Sequence, residues 1–237
     1  MRTAFFIHGI GPAAALYSEP LASRIVIEKK IELNWAEIMR PTIRDYARRF
    51  PNRPKKPWRL IYNARQRLVQ EAETLALYVL LYAQRAVREL IVGDIIRHME
   101  AEMMEEGNRI VLIGHSLGSV IALDALMRFW DAGLMEEKIE AFVTLGSPVH
   151  LWCPVPRIRG HVADMNNHGL RWLNIYDEDD PIAEPLGGFH THIRDRHVNT
   201  GGLIRAHVGY WQSQHVADHI NSFIEPGLPP PAECSSP

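Results

Sequence analysis

The sequence predicts an α/β fold: a mainly parallel sheet of about six strands with helices on both faces. Three observations predict it. Short apolar runs alternate with segments of helical spacing, the pattern of strands joined by covering helices. The polar motifs fall where those runs end, and ligands of such sheets sit beyond the carboxyl ends of the strands. The length, 237 residues, suits one domain of this kind.

The elements follow in order. Thr3 to Ile7 is apolar and rich in β-formers, and reads as a buried parallel strand broken by His8-Gly9-Ile10-Gly11-Pro12. Ser18 to Phe50 reads as mostly helical, with breaks near Asn34 and Pro41. The basic, proline-rich stretch 51–57 is a loop, and Trp58 to Tyr62 is a short strand candidate. From Arg65 to Glu106 the spacing is helical, with Leu68, Ala72, Leu75, Val79, Tyr82, Ala86 and Leu90 on one face and Gly93 dividing the helix. That face is expected to pack into the core, the alternatives being a dimer surface or a membrane-touching one. Arg109 to Ile113 is a strongly apolar strand, followed by helical spacing from Ser119 to Trp130. Ile139 to Leu145 is a further buried strand, and a loop-rich stretch with Pro154 and Pro156 leads to Leu170. Arg171 to Tyr176 and the weaker Ile193 to Val198 are strands, and Ser213 to Ile224 is a closing helix. One domain over 1–225 is expected, with 12–57 and 147–169 as lid or cap segments and a disordered, proline-rich tail over 226–237.

Composition narrows the function. A net charge of -2 gives no electrostatic case for nucleic acid. The longest apolar run, 75–83, falls well short of the roughly 20 residues that span a bilayer. No secretory signal opens the sequence, and the two cysteines, Cys153 and Cys234, read as free thiols of a reducing compartment. A soluble, cytoplasmic protein is expected.

Gly114-His115-Ser116-Leu117-Gly118 matches G-x-S-x-G and stands between an apolar strand and a helix. A serine presented on so tight a turn takes a strained backbone. Side chains two residues either side would collide with neighbouring backbone, so glycines fit there. The helix that follows points its positive end at the hydroxyl, and the amide of Leu117 is placed to donate to an oxyanion.

With this motif, the sequence resembles the α/β-hydrolase superfamily, most of all its compact lipase and esterase members. The resemblance runs from His8-Gly9 through the serine motif to His207. It implies Ser116 as nucleophile and the amides of Ile10 and Leu117 as oxyanion donors, with His8 ordering its loop. Relatives carry the acid in the turn after a later strand, where Asp177-Glu178-Asp179-Asp180-Pro181-Ile182 stands. The family form has an apolar residue two after the acid and a glycine three before it. Asp180 has Ile182 but has Asp177 in place of the glycine, so Asp180 is favoured and Asp177 is the alternative. The resemblance places the base at His207, ahead of Tyr210-Trp211. Only two residues precede the His-Gly strand, so a trimmed sheet is expected.

The implied chemistry is ester hydrolysis through an acyl-enzyme on a small ester or acyl substrate, with no metal and no cofactor. A thioesterase, amidase or acyltransferase would use the same triad. The alternative from another class is a non-catalytic binding protein with a hydrolase-like shell. His215 and His219 stand at a spacing that could bind metal, but no third ligand stands out. His190 and His192 are assigned no role.

Overall fold

A computed structural model describes residues 1–9, 16–38, 82–133, 138–151, 156–167, 169–202 and 205–225. Its frame is a six-stranded parallel sheet. The strands are β1 (Arg2–Ile7), β2 (Lys29–Leu33), β3 (Arg109–His115), β4 (Ile139–Leu145), β5 (Trp172–Tyr176) and β6 (Ile193–His197). Their spatial order is β2-β1-β3-β4-β5-β6, with every neighbouring pair parallel.

Parallel strands need crossovers, and the helices that make them cover both faces. Alternate residues of the strands therefore feed two separate cores. Phe5, Ile7, Leu112, Phe142 and Trp172 point to one face. There they meet α2 (Arg85–Met103), α3 (Leu117–Asp131) and α4 (Pro156–Asn167). Ala4, Phe6, Val111, Ile113, Val143 and Ile175 point to the other. They pack on α1 (Glu19–Ala22) and α5 (Gln214–Ile224). Because both faces are buried, the central strands read as unbroken apolar runs, which made β1, β3 and β4 plain in the sequence.

Three expectations are corrected. Residues 29–33, expected to be helical, form the edge strand β2 paired with β1. Its Lys29, Lys30 and Glu32 favour a helix locally, but pairing with a distant strand decides the outcome, and charge is common on an exposed sheet edge. The loop expected before Leu170 contains the helix α4, with Pro156 as its first residue, where a missing N–H costs nothing. Gly93 does not divide α2, and the expected apolar face holds at Tyr82, which is buried, but is out of phase beyond it: Leu90 is 63% exposed and Ala86 is exposed, whereas Val87, Ile91, Ile95 and Met99 are buried. The phase is lost because Gln84, with ψ of 121°, interrupts the helical backbone between Tyr82 and Ala86.

The strand candidate 58–62, the stretch 65–81, both cysteines and the tail 226–237 lie outside the described residues. Of the expected lid segments, 16–38 carries α1 and β2, and 147–169 carries α4, whose Val162 and Met165 are buried in the core. No helix among the described residues is long and apolar enough to cross a membrane.

Candidate active site

Ser116 stands between the last residue of β3 and the first of α3, with φ of 53° and ψ of −131°. Positive φ is rare for a residue with a side chain and is held only where the surroundings over-determine it. Here they do. The amide of Ser116 donates to the Leu145 carbonyl (3.0 Å), and the Ser119 hydroxyl donates to the Ser116 carbonyl. Ser119 in turn shares a hydrogen bond with Ser147 (2.6 Å), which also accepts the amide of Val149 (3.2 Å). The motif glycines are required by close approach. A Cβ on Gly114 would lie 2.5 Å from the Ser119 Cα, and one on Gly118 would lie 2.3 Å from the carbonyl oxygens of both Ile7 and His8. The start of α3 is thus pressed against the end of β1.

His207 bridges the serine and a carboxylate. Its Nε2 is 2.9 Å from Ser116 Oγ, and its Nδ1 is 2.9 Å from Asp180 Oδ2 and 3.1 Å from Oδ1. Ser116 and Asp180 are each 2% exposed, while the His207 side chain keeps 24% of its surface. Asp180 also accepts the amide of Ile182 (3.0 Å) and the hydroxyl of Tyr210 (3.0 Å). Burial alone would favour its neutral form. The hydrogen bond and charge of His207, with those two donors, outweigh that and hold its carboxyl below the usual value.

Asp177, the alternative acid, is turned elsewhere. Its Oδ2 accepts both the amide and the hydroxyl of Thr200 (2.6 and 2.8 Å), and its Oδ1 accepts the amide of Asp179 (2.9 Å). Its own amide donates to the Tyr210 oxygen (3.0 Å). Asp177 therefore ties the turn after β5 to the loop that leads to His207, while Asp180 faces the imidazole.

The amide of Leu117 is the first of α3, where no intrahelical carbonyl is available to it. Ile10 lies outside the described residues. Gly9 is described, and a Cβ on it would lie 2.7 Å from the Ser116 Cβ, so the loop after β1 passes directly over the serine. His8 is buried between Trp35, stacked at 5.2 Å, and Tyr17, edge-on at 5.3 Å, and its carbonyl accepts the Trp35 indole N–H (2.7 Å). Burial lowers its pKa. These contacts tie the end of β1 to Tyr17 and Trp35.

Sequence reasoning gave no role to two residues that the structure sets into the site. Tyr210 touches both aspartates, and Gly146 (φ of 52°) leaves it room, since a Cβ there would lie 2.6 Å from the Tyr210 ring. His115 lies under His207, with ring centres 4.9 Å apart. The only sequence signal for His115 was its position inside the serine motif. Among the described residues no group of three or more His, Cys, Asp or Glu side chains could hold a metal ion.

A family model described as the PGAP1-like alpha/beta domain matches residues 72–168, a span that holds the serine motif and stops short of Asp180 and His207. The match agrees with the six-stranded parallel sheet and the strained serine turn. The fold is that of the α/β-hydrolases. Solved structures similar to this chain include a YdeN-like hydrolase from Pectobacterium atrosepticum (13% identity, 97% of this chain and 94% of that one, TM-score 0.45). Others are a cutinase-like protein from a Cryptococcus species (11%, 94% and 92%, 0.45) and the RedJ thioesterase of prodiginine biosynthesis in Streptomyces coelicolor (12%, 93% and 84%, 0.49). No curated protein matches the sequence.

Proposed function

We propose that this chain is an α/β-hydrolase working as a serine esterase that cleaves carboxylic esters through an acyl-enzyme. One observation carries the reading: His207 stands 2.9 Å from the Ser116 hydroxyl on one side and 2.9 Å from the Asp180 carboxylate on the other. In the proposed reaction, Ser116 Oγ attacks the acyl carbonyl carbon as its proton passes to His207 Nε2. Asp180 keeps the imidazole in the tautomer that can accept this proton and stabilises the imidazolium. The negative oxygen of the tetrahedral intermediate takes hydrogen bonds from the amides of Leu117 and Ile10, each donor contributing about 3 kcal/mol. Gly9, pressed against Ser116, brings the loop after β1 up to the reacting hydroxyl. The C–O bond to the alcohol breaks and the alcohol leaves with the proton from Nε2. Water, deprotonated by the same nitrogen, then releases the acid and restores Ser116.

The test is labelling by a fluorophosphonate probe, with turnover of p-nitrophenyl esters of graded chain length. Wild type is expected to label and turn over. Ser116→Ala is expected to lose the label and at least about 10³-fold in kcat. Near-wild-type turnover in clean Ser116→Ala protein overturns the reading, and the chain-length series ranks the substrates.

A further inference from the structure

We propose that His115, the residue before the nucleophile, is a positioning residue that fixes the base by hydrogen-bonding the backbone of His207. This rests on the proposed roles of Ser116 and His207. The His115 Nε2 lies 2.6 Å from the His207 carbonyl oxygen. A carbonyl only accepts, so Nε2 carries the proton and donates. Ninety-two residues separate the pair, so this one bond joins the nucleophile's turn to the base's loop.

The need for such a tie follows from how that loop is held. Its backbone is closed locally by the amides of Val208 and Gly209, both donating to the Arg205 carbonyl (3.1 and 2.8 Å). The Ala206 carbonyl lies 2.7 Å from the Thr200 hydroxyl, which Asp177 also engages. The His207 carbonyl is bound by His115. The imidazole of His207 is fixed at both nitrogens only while its backbone stays where these contacts put it. A displacement of about 1 Å at a reacting group can cost on the order of 10²-fold in rate.

The His115 ring is itself closely packed. It is buried, 5.4 Å from the Trp211 ring and 5.8 Å from Tyr210 between ring centres, and a Cβ on Gly9 would come within 3.3 Å of its Nδ1. It therefore works as a rigid spacer with a donor at its tip. A side chain of similar reach that ends in an N–H replaces it in part, and one that stops a methylene short does not.

The experiment compares His115→Gln, whose amide nitrogen falls near the position of Nε2, with His115→Asn, whose amide falls near Nδ1. Wild type, both variants and Ser116→Ala are assayed for fluorophosphonate labelling rate, kcat and KM on one p-nitrophenyl ester, and thermal midpoint. His115→Asn is expected to lose about 10-fold or more in labelling rate and kcat, with KM within about 2-fold. His115→Gln is expected to recover most of that loss. Equal losses in the two variants, a loss seen mainly in KM, or wild-type rates in both overturns the assignment. Retained labelling and turnover in Ser116→Ala would instead sink the underlying reading, so the two failures are distinguishable.

Discussion

Two aspartates three residues apart do different work because of what their oxygens face. Asp180 receives His207, Tyr210 and the Ile182 amide, whereas the carboxylate of Asp177 is engaged by Thr200 and Asp179. Substituting each with asparagine separates the two. Asp180→Asn keeps the shape but presents an amide to the imidazole, favouring the wrong tautomer, and is expected to lower kcat by about 10³- to 10⁴-fold with a small change in thermal midpoint. Asp177→Asn keeps one acceptor oxygen, so either the Thr200 donors or the Asp179 amide face an NH2 group. It is expected to cost about 1–3 kcal/mol of stability and to reduce kcat far less. Equal loss of kcat in the two variants would contradict this division. In the sequence both aspartates fitted the place of the acid, and the missing glycine made the register ambiguous. Nothing in the local string says that Thr200, on a loop beyond β6, claims Asp177. Ser116 was legible because the constraint on it is local: strand, two close glycines, helix.

At the scale of elements, what was legible was what is buried on both sides. β1, β3 and β4 announce themselves as apolar runs, and the serine turn sits at the end of β3. β2 was not legible because its strand character comes from pairing with β1 across 26 residues of sequence, from Thr3 to Lys29, against its own propensity. α2 was found, but with the wrong buried face, because the interruption at Gln84 leaves no mark in hydrophobic spacing. The two glycines of these helices give a test of the packing. A Cβ on Gly118 meets two carbonyl oxygens at 2.3 Å, so Gly118→Ala is expected to push α3 away from β1, costing about 1–3 kcal/mol and most of the activity. A Cβ on Gly93 meets nothing nearer than Arg97 Nη1 at 3.8 Å, so Gly93→Ala is expected to stabilise by about 0.5–1 kcal/mol and leave activity unchanged. Urea unfolding with an ester assay checks both, and the signs of the two stability changes should differ.

For the molecule as a whole, the order of the sheet carries the three proposed catalytic groups from separate regions of sequence to one edge. Ser116 follows β3, Asp180 follows β5 and His207 follows β6, so each arrives at a carboxyl end. Burying this cluster has a thermodynamic consequence. Burial, followed by the nearby charge of His207, lowers the pKa of His115 to about 3. An unfolded histidine titrates near 6.5. Between those values the unfolded chain takes up a proton at this position that the folded chain refuses. Stability therefore falls as pH drops from about 6.5 toward 3, by up to about 1.4 kcal/mol per pH unit from this one group. His8, lowered by its own burial, acts in the same direction. Asp180 has the depressed pKa of a stabilised carboxylate, so its contribution stands above about pH 4 and is lost only below it. Urea unfolding at pH 7.5, 6.5, 5.5 and 4.5 should show wild-type stability declining across the series. His115→Gln, which cannot be protonated there, should decline less steeply by a fraction of a proton near pH 6.5, approaching one proton at pH 4.5. Parallel slopes in the two proteins would mean that the His115 ring takes up its proton without leaving the fold.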